Sequence, residues 1–171
     1  MNDALSEDEL KKILLYAAAL CVRSEQCESD IRRKLRLRGL AEGESDRVVE
    51  YLYAHRYLDE RRYARAFVRT KSRLSGWGPW KIRQALSMRG IDRDVIADAM
   101  EECEAADFDE KALQAARRKA RNLDLSDRGH RTRIYRFLSA RGYGGDTVAR
   151  VMKALGAEAA DDCMPDDTSL C

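Results

Sequence analysis

The chain has 171 residues, 44% of them hydrophobic and 36% charged, which is enough for one sizeable core or several small ones. A formal charge of +2 hides a segregation by sign: residues 1–156 hold 32 basic residues against 25 acidic, a net of +7, and the other acids lie in the last fifteen positions. With only two prolines, no alternating apolar run, and a longest apolar run, Ile13–Val22, far too short for a bilayer, the composition excludes a β protein and a membrane span.

In chain order, the helical periodicity and the abundance of Ala, Leu, Arg, Lys and Glu predict nine helices and no strand. The first three run from Glu7 to Arg23, Glu28 to Arg38 and Ser45 to His55. Ser24 and Cys27 compete as the cap of the second, and Gly43 lies in the turn before the third. The next three are expected over Asp59 to Leu74, Pro79 to Arg89 and Arg93 to Cys103. The last three are expected over Asp109 to Asn122, Asp127 to Arg141 and Gly145 to Leu155, and the final one lacks a side-chain cap because Gly144 and Gly145 stand at its start.

A self-comparison finds the same ending three times. Ile31 to Gly39 reads IRRKLRLRG, Ile82 to Gly90 reads IRQALSMRG and Ile134 to Gly142 reads IYRFLSARG, each followed by an apolar residue, Leu40, Ile91 or Tyr143. The glycines lie 51 and 52 residues apart, so one three-helix unit is used three times, each too small to bury its apolar faces well alone. The implied divisions are repeat one over 1–57, repeat two over 58–105, repeat three over 106–156 and an acidic tail over 157–171 that is expected to be disordered. Arg38, Arg89 and Arg141 sit in last helical turns, where a cation suits the helix dipole, and the glycines suit left-handed caps. Ligand contact is an additional role open to these arginines.

The richest chemistry lies between Arg56 and Asp94. Asp59 caps the fourth helix, with Leu58 and Tyr63 spaced as a hydrophobic staple. Tyr63, Ala64, Phe67, Lys71 and Leu74 follow one face, and Arg62, Arg65, Arg69 and Arg73 follow another. The loop Ser75-Gly76-Trp77-Gly78-Pro79-Trp80 has glycines for unusual backbone angles and a proline suited to a first helical turn. Lys81, Arg83 and Arg93 extend the basic supply, and the third repeat adds Arg117, Arg118, Lys119, Arg121, Arg128, Arg131, Arg133 and Arg136. Faces of this kind bind polyanions with a salt slope of roughly 0.7 to 0.9 per neutralised phosphate. The competing role for such arginines is solvation and local pairing. Trp77 and Trp80 suit either base stacking or a small core, with the core favoured, and Tyr57 and Tyr63 suit packing.

Catalytic chemistry finds no footing. The chain has no phosphate-binding glycine loop, no Ser/His/Asp constellation and, with Cys21, Cys27, Cys103, Cys163, Cys171, His55 and His130 scattered, no metal-ligand spacing. An odd cysteine count fits reduced thiols in a cytoplasm, and no cofactor is expected.

His55-Arg56-Tyr57-Leu58-Asp59-Glu60-Arg61-Arg62-Tyr63-Ala64, then Gly76-x-Gly-Pro79-x-Lys81-Ile82, then Leu86-x2-Arg89-Gly90-Ile91, resembles the central signature of the RecX family. The ending Arg136-Phe137-Leu138-x2-Arg141-Gly142-Tyr143 is similar too, and the match spans about Leu14 to Leu155. Cys27 and Gly144 depart from it, standing where a capping residue such as serine is common, and the acidic tail lies beyond it. The resemblance implies an all-α molecule of tandem three-helix repeats, elongated and curved, and a non-enzymatic cytoplasmic regulator of the RecA recombinase. Its expected partners are the RecA filament and single-stranded DNA, with double-stranded DNA as a further ligand; a monomer is expected. The residues assigned to DNA or filament contact are Arg62, Arg65, Arg69, Arg73, Lys81, Arg83, Arg128, Arg131, Arg133 and Arg136, and the structural motif is assigned to Tyr57, Leu58, Asp59, Gly90 and Gly142. The rival reading is a helical DNA-binding module or transcription factor, with the segment Gly129 to Gly142 as its recognition helix.

Overall fold

The structure is a computed structural model that describes residues 6–101 and 105–161. The described residues form nine helices and no strand: α1 Glu7–Arg23, α2 Glu28–Arg36, α3 Glu42–Ala54, α4 Glu60–Arg73, α5 Pro79–Ser87, α6 Arg93–Glu101, α7 Ala105–Ala120, α8 Arg128–Ala140 and α9 Gly145–Asp161. The fold class is therefore an all-α helical repeat.

Several boundaries differ from those read in the sequence. Helix α3 starts at Glu42 rather than Ser45 because the Glu44 carboxylate accepts the Ala41 backbone N–H at 3.0 Å, opening the helix one turn early. Cys27, not Ser24, is the N-cap of α2, and its thiol donates to Asp30 at 3.3 Å instead of capping the backbone. Helix α7 begins at Ala105 rather than Asp109. Helix α9 continues past Leu155 to Asp161, so residues 157–161 of the expected disordered tail are helical; Ala157, Ala159 and Ala160 carry the highest helix propensity there is. Residues 162–171, the rest of that tail, lie outside the described residues, as does Cys103.

The chain divides into two compact units. One gathers the residues up to Phe67 with Ala85–Ala99, and the other gathers Val68–Gln84 with the residues from Met100 on. In the first unit, Ala17 of α1, Ile31 and Leu35 of α2, Val48, Val49 and Leu52 of α3, and Leu58 form one buried cluster. In the second, α7, α8 and α9 pack together, and Phe108, Ala112, Ala115, Ala116, Ile134, Leu138, Val148, Val151 and Leu155 are buried. Each fully buried Ile or Leu contributes about 1.5–3 kcal/mol relative to exposure. The isoleucine and leucine of the repeated motif, Ile31/Leu35, Ile82/Leu86 and Ile134/Leu138, are all completely inaccessible to solvent. Repetition of the motif is repetition of a core pair.

The Arg-Gly ending is the same turn three times. Gly39, Gly90 and Gly142 have φ of +84°, +79° and +86°. The N–H of the next residue reaches back five positions, Leu40 to Leu35, Ile91 to Leu86 and Tyr143 to Leu138, at 3.3 Å each. The glycine N–H reaches back three, so each ending is a Schellman cap with its apolar residue folded over the last turn. Helix α3 ends likewise, but with Arg56 at φ +58°, a backbone conformation that costs a non-glycine residue about 1–2 kcal/mol.

Helix α4 buries Tyr63, Ala64, Phe67, Val68 and Ser72. Leu74, expected on this face, is 84% exposed because α4 ends at Arg73 and the chain turns away. Trp80 does not join the expected small core, being 63% exposed, whereas Trp77 is half-buried, with the ammonium groups of Lys71 and Lys81 5.0 and 4.8 Å from its ring.

Candidate functional site

The loop 75–80 owes its glycines to backbone contact. Within the second unit it lies against the Arg-Gly turn of the third repeat: Gly78 N–H donates to the Arg141 carbonyl at 2.7 Å, and Trp80 N–H donates to the Gly142 carbonyl at 3.1 Å. Arg141 returns a guanidinium N–H to the Ser75 carbonyl at 2.8 Å, and the Tyr143 hydroxyl donates to the Gly76 carbonyl at 3.3 Å. A Cβ on Gly78 would overlap the Gly142 carbonyl group and stand 2.5 Å from Tyr143 N. One on Gly142 would overlap Lys81 and stand 2.6 Å from its backbone nitrogen. The Gly-x-Gly-Pro segment is a joint between repeats, and Pro79 then starts α5 without a lost hydrogen bond.

The three repeated arginines each have an aromatic partner. Arg38 lies 3.6 Å above the Tyr16 ring and Arg89 lies 5.0 Å from that of Phe67, in both cases a ring on the first helix of the repeat. In the third repeat Lys119 occupies the corresponding position, and Arg141 stacks on Phe137 of its own helix at 4.5 Å. Arg89 also donates to the Ala85 carbonyl at 2.8 Å. These contacts favour a structural role for the repeated arginines.

The ten basic residues assigned to DNA or filament contact separate by what they touch. Arg62 is a clamp: its Nε meets Glu25 at 2.6 Å, and its terminal nitrogens reach the carbonyls of Arg56 and Tyr57. Its hydrogen bond to the Glu25 carboxylate holds the guanidinium pKa above the usual arginine value. It thereby supports the strained backbone at Arg56. Arg131 donates to the carbonyls of Leu125 and Ser126 at 3.0 Å each, closing the turn before α8. Lys81 reaches the Ala140 carbonyl at 3.4 Å and the Trp77 ring, and Arg65, although exposed, is also engaged.

Arg69, Arg73, Arg83, Arg128, Arg133 and Arg136 are exposed, and among the described residues none has a carboxylate partner. All six belong to the second compact unit. The chain has no acidic residue from 61 to 91, so no local acid neutralises the first three of them. Six unpaired guanidinium groups can meet phosphate or carboxylate oxygens without first breaking an internal ion pair.

The motif residues serve the fold. Leu58 is buried, Tyr57 packs at the edge of the first core, and the Asp59 carboxylate accepts the Arg62 backbone N–H at 2.9 Å as the cap of α4. Burial, then Cys27, pushes the Tyr63 phenol far above its ordinary pKa, which keeps it neutral. His55 stacks on Tyr51 with ring centroids 3.9 Å apart, and His130 lies at the start of α8 with Nδ1 3.0 Å from the Asp124 carbonyl. Among the described residues no group of three or more His, Cys, Asp or Glu could hold a metal ion, and no helix is long and apolar enough to cross a membrane.

Together these features define a helical repeat protein whose repeated residues build the chain and whose six unpaired candidate arginines all lie in the second compact unit. Family models for the second and third three-helix domains of RecX match residues 59–100 and 107–152. A Pseudomonas savastanoi pv. phaseolicola protein named Regulatory protein RecX is 36% identical over 142 residues, 83% of this chain and 90% of the relative. Its Pseudomonas fluorescens namesake is 33% identical over 151 residues, 88% of this chain and 96% of the relative. The crystal structure of RecX from Lactobacillus salivarius aligns with a TM-score of 0.74 over 89% of this chain and 99% of that one; at 23% identity it supports the fold alone. The chain belongs to the RecX family of regulatory proteins.

Proposed function

We propose that this chain is a negative regulator of the RecA recombinase that binds the RecA–DNA filament, in its groove, and limits filament extension, ATP hydrolysis and strand exchange during DNA repair and recombination. Family membership across more than four-fifths of the chain carries the reading. The six unpaired arginines supply its chemistry: they neutralise DNA phosphate or an acidic recombinase surface while the repeats hold them in place. Regulation is by occupancy in the cytoplasm, with no covalent step and no cofactor.

The test is fluorescence anisotropy of the labelled protein at one fixed salt concentration, against single-stranded DNA, duplex DNA and a nucleotide-stabilised RecA filament. A marked preference for the filament, with inhibition of strand exchange that is lost in the folded Arg69→Glu/Arg73→Glu variant, is the expected result. Equal or tighter binding to bare DNA, or a preference for one duplex sequence, would replace this reading with a DNA-binding module acting without a recombinase.

A further inference from the structure

The exposed indole of Trp80 has no structural task in the second unit. The residue is 63% exposed, while its backbone is fixed: Pro79 precedes it, and its N–H is bound to the Gly142 carbonyl at 3.1 Å. Gly78, two residues earlier, is buried against the same turn. A large apolar surface is therefore held in water on a backbone with little freedom, so a partner that covers it loses little conformational entropy. On the outward face of α5, Arg83 and Gln84 lie three and four residues on, both exposed, at the spacing that makes neighbours on a helix. Arg83 has no carboxylate partner among the described residues.

An aromatic face, a cation and an amide fit a nucleotide better than a hydrophobic peptide, which would need apolar neighbours where Arg83 and Gln84 stand. A duplex offers no free base face, because its bases are already stacked on one another. We infer that Trp80 is a stacking platform for an unpaired base of single-stranded DNA, with Arg83 taking the adjoining phosphate. This rests on the nucleic-acid part of the function proposed above and gives it a strand preference. The site discriminates by whether a base is free, and is tolerant of which base it is.

The chain has two tryptophans, so Trp77→Phe leaves Trp80 as the sole reporter. Titrating that variant with oligothymidylate should quench its fluorescence, and a duplex of equal length should not. Trp80→Ala should weaken single-strand binding by roughly 5- to 160-fold, the range given by stacking of one base, and leave duplex binding unchanged. Trp80→Phe should retain most of the affinity and, with circular dichroism, separates loss of stacking from loss of fold. Absence of quenching, unchanged single-strand affinity in Trp80→Ala, or equal losses on both DNA forms would overturn the stacking role. If filament inhibition stays sensitive to Arg69→Glu/Arg73→Glu while Trp80→Ala binds single strands normally, the regulatory reading stands and this inference falls.

Discussion

Arg62 and Arg73 lie on the same helix and the same sequence-derived face, yet their surroundings give them opposite work. Arg62 pairs with Glu25, whose second carboxylate oxygen is already buried without a partner, and it also satisfies two backbone carbonyls around the left-handed Arg56. Removing it leaves a half-buried carboxylate unpaired, so Arg62→Ala should cost about 1–3 kcal/mol in urea denaturation. Arg73→Ala removes an exposed, unpaired charge and should change stability by less than about 0.5 kcal/mol. Equal stabilities for the two variants would contradict the division of the arginines into clamps and contacts. Sequence alone cannot make this division, because Glu25 is 37 residues from Arg62 and no periodicity joins them. Trp80 was illegible for a related reason: a tryptophan's burial depends on which groups the fold lays over it.

The repeated helix ending was legible because its chemistry is local. A leucine, a glycine four residues later in a left-handed turn and an apolar residue behind it specify a Schellman cap whatever surrounds them. What local chemistry cannot specify is the packing around each copy. A Cβ on Gly90 meets nothing within 4 Å, so Gly90→Ala carries only the backbone penalty, about 1–2 kcal/mol. Gly142→Ala carries that penalty and also drives a methyl group into the backbone of Lys81, adding an overpacking cost of typically 1–3 kcal/mol. Thermal melts of the two variants should therefore differ, with Gly142→Ala the lower; identical melting would mean that the loop 75–80 does not close on the third repeat. The end of α4 illustrates the converse. Leu74 fits the apolar stripe by spacing, but the helix stops one residue short of it.

For the molecule as a whole, net charge is a poor guide and unpaired charge a better one. A formal net of +2 would suggest indifference to DNA, whereas under the proposed function the six unpaired arginines of the second unit would make binding depend on counterion release. Each phosphate that a residue neutralises on a single strand adds about 0.7 to the slope of log affinity against log salt. Arg69→Ala/Arg73→Ala should thus flatten that slope by up to about 1.4, and adding Arg83→Ala should flatten it by up to about 0.7 more. Arg61→Ala is the control, since Arg61 already pairs with Asp98 at 2.6 Å and has an internal anion to satisfy it. Anisotropy titrations across a salt series read all four slopes. A slope that falls equally for Arg61→Ala would show that binding answers to total charge, and the partition of arginines by partner would then have no bearing on DNA.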